Sequence, residues 1–99
     1  MARFDVYRPR AGEVLLLDCQ ADLLSQFDTR FVVPLMPFGF LANPFVRLNP
    51  FFEIDGRGVV MVTQSAATVS VGAMGRRIVS LADRQEEIMN ALDMLLTGY

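Results

Sequence analysis

The stretch FFEIDGRGVVMVTQ at residues 51–64 sets an Asp-Gly pair between two runs rich in β-branched and aromatic side chains. Aspartate and glycine accept the positive φ that both central positions of a type I′ turn demand, and that turn has the twist needed to join adjacent antiparallel strands. Asp55-Gly56 therefore predicts a β-hairpin, with Phe52 and Ile54 facing Val60 and Val62 or their neighbours. A two-stranded hairpin is marginal in water, so this one must find further strands or a helix to pack on.

The N-terminal half offers such strands. RFDVYR at 3–8 alternates, which places Phe4 and Val6 on one face, and it runs into the turn-forming PRAG. EVLLLDCQ at 13–20 is almost continuously apolar, as expected of a strand covered on both faces, and it pairs with the first strand as a hairpin. ADLLSQFDTR is polar punctuation before FVVPLM, a third strand in which Pro34 removes a ladder donor and so predicts a bulge or an edge position. The proline-rich PFGFLANPFVRLNP at 37–50 reads as a long connection, with Phe38, Phe40, Leu41 and Phe45 expected to cover apolar surface. After the central hairpin, ATVSVGAMGRRIVS gives one or two short strands separated by Gly72 and Gly75.

The period then changes. In SLADRQEEIMNALDMLL, Leu81, Arg84, Ile88, Leu92 and Leu95 or Leu96 recur at helical spacing and mark one packed face. Ser80 with Asp83 three residues on is a capping-box arrangement with the shorter acid, and Asp83, Glu86 and Glu87 lie near the positive end of the helix dipole. Five or more short strands followed by one helix over about residues 81–96 predict a small antiparallel barrel or sandwich that uses the helix as a plug. A mixed α+β layer without closure is the alternative.

Composition narrows what such a fold does. A chain of 99 residues has room for one domain, and 53% hydrophobic residues against 20% charged is apolar for its size, so part of the surplus is expected in a subunit interface. Three prolines interrupt the most apolar stretch, FVVPLMPFGFLANPF, so it is no membrane span. The N-terminal residues lack a continuous apolar run of the signal-peptide kind, which makes the expected location cytoplasmic. A net charge of −2 argues against direct nucleic-acid binding, leaving only pairs such as Arg76-Arg77 to touch phosphate. Without histidine and with Cys19 alone, neither a metal site nor a cofactor is expected, and Cys19 reads as a small packed side chain. GRG at 56–58 and GAMG at 72–75 lack the lysine and context of phosphate-binding loops and read as turns. No catalytic constellation emerges.

The ordered set FDVY, LLLDCQADLL, TRFVVPLMP, FFEIDGRGVVMVTQSAA, VSV and SLADRQEEIMNALDMLLTGY resembles the CcdB family of toxins over essentially the whole chain. The specific elements are the Asp-x-Gln-x-Asp-aliphatic-aliphatic pattern at 18–24, the Val-Pro-Leu strand, and the Gly-aromatic end on a terminal helix. The resemblance implies an SH3-like barrel over about residues 1–79 with a C-terminal helix, in one toxin domain spanning 1–99 that forms a two-fold homodimer. It also implies a binding protein rather than an enzyme. Proteins similar to this one insert into the dimerisation domain of the DNA gyrase A subunit and trap the cleaved gyrase–DNA complex. A cognate CcdA-like antitoxin, disordered in its C-terminal segment when free, neutralises them. The two together repress their operator, with the DNA contacts made by the antitoxin.

The resemblance places gyrase-facing groups at Leu23, Leu24, Asp93, Thr97, Gly98 and Tyr99. The best-known members carry asparagine, tryptophan and isoleucine where this chain has Asp93, Thr97 and Tyr99. The loop of Arg8, Pro9, Arg10, Ala11 and Gly12 resembles the antitoxin-contacting loop. On residue chemistry alone, Leu23 and Leu24 also fit a core role, Thr97-Gly98 an ordinary helix C-cap, and the arginine-bearing loop a solvated turn. Two other functions stay open: a MazF-like endoribonuclease, since fold does not fix function, and a homologue that keeps antitoxin binding and autoregulation alone.

Overall fold

The computed structural model describes residues 2–98. Strands β1 (Asp5–Arg8), β2 (Leu15–Asp18), β3 (Thr29–Pro37), β4 (Phe51–Ile54), β5 (Arg57–Met61), β6 (Ala67–Ser70) and β7 (Arg76–Ser80) precede helix α1 (Gln85–Thr97). Short 3-10 turns occupy Asp22–Leu24, Thr63–Ser65, Val71–Ala73 and Ala82–Arg84. Every pairing is antiparallel, and the sheet order is β4-β5-β3-β2-β1-β7 with β6 added beside β3. The chain is thus mainly β, a curled half-barrel with one C-terminal helix, as its sequence predicts.

The central hairpin forms for the predicted reason. Asp55 has φ +53° and Gly56 φ +77°, the pair of left-handed conformations a type I′ turn requires. The register sets Phe52 opposite Val59 and Ile54 opposite Arg57, while Val62 lies just past the strand and is buried.

Pro34 does not break or end its strand. β3 runs uninterrupted through it, and its carbonyl accepts from Val62 N–H at 3.0 Å. On one side residues 32–35 of β3 pair with β2, Leu16 opposite Pro34. On the other it pairs with β6 through Val32 and with β5 from Leu35 onward, so the missing N–H falls where β3 changes partners. A proline is tolerated in a central strand when no ladder donor is required at that point.

Both faces of the sheet are covered near its centre. The main cluster contains Phe4, Val6, Leu17, Val33, Leu35, Phe52, Ile54 and Met61, closed by Ile88, Ala91 and Leu92 of α1. A smaller cluster of Tyr7, Val32 and Met74, flanked by Leu16 and Val69, occupies the other face. This accounts for the unbroken apolar run of β2. It also modifies the alternation of RFDVYR: Asp5 and Tyr7 are buried along with Val6, and Phe4 precedes the strand with φ +72°.

Two expectations are corrected. Ser80 does not cap α1; its Oγ accepts from Ala82 N–H at 3.1 Å and starts a 3-10 turn, and the helix begins at Gln85 with no side-chain cap. The aromatics of residues 38–45 do not cover a core. Phe38, Phe40 and Phe45 are more than half exposed, and Phe38 instead meets Phe51 with ring centroids 4.8 Å apart. The connection is nevertheless fixed, because buried Asn49 accepts from Phe45 N–H and donates to the Met61 carbonyl and to Gln64.

Candidate functional site

Leu23 and Leu24 sit on the 3-10 turn that leaves β2, a turn without a buried residue. Leu23 is 87% exposed and Leu24 40%, so the core role is excluded for Leu23. With no buried residue to anchor it, such a turn relies on polar tethers. The acidic-glutamine pattern before it supplies them. Asp18 and Arg30, both with fully buried side chains, pair at 2.5 Å, and Arg30 Nε donates to the same carboxylate oxygen at 3.0 Å. The other Asp18 oxygen accepts from Gln20 N–H at 3.1 Å. The Gln20 amide then donates to the Leu24 carbonyl at 2.8 Å and accepts from Phe31 N–H at 2.9 Å. Asp22 accepts from Arg3 N–H at 2.7 Å.

Arg3 extends this tether to the helix. Its Nε donates to the Cys19 carbonyl at 3.3 Å, its Nη2 lies 3.2 Å from Met89 Sδ, and its guanidinium covers the Phe4 ring at 4.8 Å. The leucine turn therefore lies on the Met89 side of α1. The residue four positions beyond Met89 lies near its face; this is Asp93, exposed, whereas Thr97, eight positions on and also exposed, is turned about 80° away. At 1.5 Å per residue they lie about 6 and 12 Å further along the helix.

The helix end is capped as ordinary C-termini are. Gly98 takes φ +82° and its N–H donates to the Met94 carbonyl at 2.9 Å, while Thr97 Oγ1 donates to the Asp93 carbonyl at 2.7 Å. Tyr99 lies outside the described residues. Arg3 thus ties the leucine turn to the Met89 side of α1, the side on which Asp93 lies one turn further on, and Gly98 terminates the helix.

Leu95 and Leu96 part company here. Leu95 continues the stripe of Ile88 and Leu92 but is 39% exposed, whereas Leu96, roughly 80° round from Ile88, is 78% exposed. Leu96 does not pack and adds apolar area to the exposed helix end. Counting seven residues from Ile88 rather than eight separates the two in the sequence. Arg3, Gln20 and Met89 left no comparable signal, because their roles depend on the turn lying beside the helix.

The loop of Arg8 to Gly12 lies at the opposite end of β1. Arg8, Arg10, Ala11 and Gly12 are exposed and Pro9 half-buried, with Gly12 at φ +93°. The loop is no free solvated turn. A Cβ added to Gly75, at φ +76°, would clash with the Arg8 carbonyl oxygen. Two concavities flank it: a groove of about 560 Å³ between Arg8, Glu13, Asp55 and Arg57 with an aliphatic floor, and an apolar one of about 380 Å³ against Leu16 and Val69. Arg77, one of the arginines considered for phosphate contact, is paired with Asp5 at 3.1 Å.

Burial pushes the Cys19 thiol up to about 12 and the Tyr7 phenol upward as well. Hydrogen bonding to Arg84 lowers Glu87, an exposed helix pair. Among the described residues no group of three or more His, Cys, Asp or Glu side chains is arranged to hold a metal ion, and no helix is long and apolar enough to cross a membrane. What the chain presents is an exposed apolar turn held by polar bonds and tied to α1 at Met89. The family model described as CcdB protein matches residues 3–98. With that match and the strand-then-helix architecture it requires, the chain belongs to the CcdB family, the toxins of toxin–antitoxin modules.

Proposed function

We propose that this protein poisons DNA gyrase: as a two-fold homodimer it binds the dimerisation domain of the gyrase A subunit and traps the complex after DNA cleavage. The observation that supports the reading is the exposed Leu23-Leu24 turn, tethered by polar bonds and tied through Arg3 to the Met89 side of α1. A fixed apolar group on the surface costs little ordering on binding, and that is how interface anchors gain affinity. Asp93 calls for a donor on gyrase to meet its charge. Gly98 ends the helix, and Leu96 supplies exposed apolar area next to Thr97, where the best-known members carry tryptophan.

The loop Arg8–Gly12 and its two flanking grooves are the proposed seat of a CcdA-like antitoxin, which in the cytoplasm neutralises the toxin and carries it to operator DNA as corepressor. No nucleic-acid contact by the toxin itself is required.

Titration of the purified dimer with the gyrase A dimerisation domain tests the reading. Binding in the micromolar range or tighter is expected, weakened about tenfold or more by Leu23→Ala, since hot-spot truncations cost more than about 1 kcal/mol. Absence of binding by a folded dimer, or cleavage of RNA in a parallel assay, contradicts it. Antitoxin binding without gyrase binding identifies a homologue confined to autoregulation. That second reading draws on Thr97, whose hydroxyl is already spent within its own helix.

A further inference from the structure

We infer that Gln20 is a positioning residue for gyrase binding: its side chain stands in for the strand backbone that β2 no longer supplies and so fixes the presentation of Leu23 and Leu24. The inference rests on the gyrase-binding reading above.

The ladder between β2 and β3 pairs Leu17 with Val33 and Asp18 with Val32, and Cys19 N–H donates to the Phe31 carbonyl at 2.9 Å. Beyond that rung the chain turns away into residues 21–24. Phe31 N–H still points at the vacated side, and Gln20 Oε1 accepts it at 2.9 Å. The same amide donates from Nε2 to the Leu24 carbonyl at 2.8 Å. One planar group thus closes the sheet edge with its acceptor and holds the turn with its donor. Only a primary amide at this reach does both. Glutamate keeps the acceptor and sets a charge against the Leu24 carbonyl; methionine keeps the volume and loses both bonds.

The amide is itself held from below. Gln20 N–H donates to Asp18 Oδ1, and Asp18 is locked by Arg30 in the core. The turn has no buried residue, and Gln20 itself is half-buried, so releasing it leaves the packed cluster intact. The expected consequence is a population effect. If the competent arrangement of the turn falls to about one part in ten, apparent affinity falls about tenfold with no contact residue altered.

The test compares the full-length dimer with Gln20→Met, Gln20→Glu and Leu23→Ala. Each is titrated with the gyrase A dimerisation domain, followed by amide hydrogen exchange at Leu24 and Phe31, and melted thermally. Gln20→Met is expected to bind about tenfold more weakly, with faster exchange at both amides and an essentially unchanged melting midpoint. Gln20→Glu is expected to keep Phe31 protected while still losing affinity, which a general structural role would not produce. Leu23→Ala is expected to lose affinity with exchange unchanged. Full affinity in both Gln20 variants while Leu23→Ala binds weakly overturns the positioning role and leaves the gyrase reading standing. Full affinity in Leu23→Ala removes the gyrase reading at this turn. A large fall in the melting midpoint of either Gln20 variant also overturns the inference, since it makes Gln20 a stability residue.

Discussion

Asp18 and Arg30 meet with no solvent exposure, and the pair is held from one side only: Arg30 Nη1 has no partner among the described residues. Removing one charge strands the other in the core, a change that typically costs about 3–5 kcal/mol. Asp18→Ala should therefore lower the unfolding free energy by about that much in a chemical denaturation series. A loss under about 1 kcal/mol would show that water reaches Arg30. Cys19 behaves oppositely, as an inert neighbour. With its thiol pushed to about 12 by burial, only about one molecule in ten thousand carries the thiolate at pH 8, and the thiolate is the reactive form. A disulfide reagent should thus label Cys19 at the rate of unfolding, and fast labelling of native protein would contradict its burial. At this scale the sequence was partly readable. Cys19 could be placed from its apolar neighbours. The pairing of Asp18 with Arg30 could not, because the two lie across a turn whose path the pattern does not define.

Among elements, the hairpin and helix were legible because each rests on local chemistry: Asp55-Gly56 for the turn, and the spacing of Ile88 and Leu92 for the buried face. The helix start was not. Ser80 has capping chemistry, but the chain spends it on a 3-10 turn as it leaves β7, which is a matter of tertiary direction. The first turn of α1 instead relies on Arg84, which meets Glu87 at 2.6 Å and lies 4.8 Å over the Phe52 ring. Because the folded Glu87 carboxyl is lowered below its ordinary value of 4.5, the pair's contribution is present above that pH and is lost as pH falls through the folded value. Glu87→Gln should cost no more than about 0.5 kcal/mol at pH 7, as exposed helix pairs do, and nothing once the carboxyl is protonated. An equal deficit at pH 7 and in acid would assign the effect to packing. Gly75 is a stricter joint. Any Cβ there meets the Arg8 carbonyl, and its positive φ adds strain. Gly75→Ala should cost more than about 2 kcal/mol and displace the Arg8–Gly12 loop, measurable as weaker antitoxin binding at temperatures where the variant is folded. Retained stability would show that the loop shifts freely.

At the scale of the whole molecule, the overall fold was readable as strands followed by a helix, while the distribution of apolar surface was not. Phe38, Phe40 and Phe45 carry the side chains of a core yet stay on the surface, since the main cluster is already closed by α1. Pattern alone cannot distinguish a covering aromatic from a displayed one. The same holds for Leu23 and Leu24, whose exposure follows from polar tethers and not from their own chemistry. Turn and helix are joined by Arg3, which bridges residues 22 and 89 across a long sequence separation. The most direct measurement for the central claim is an assay of purified gyrase, DNA and ATP for trapped cleavage complexes. The account predicts linear, protein-linked DNA that accumulates with added toxin, is lost on deletion of residues 97–99, and is suppressed by antitoxin. A folded dimer that leaves gyrase turnover and DNA integrity unchanged at micromolar concentration would contradict it.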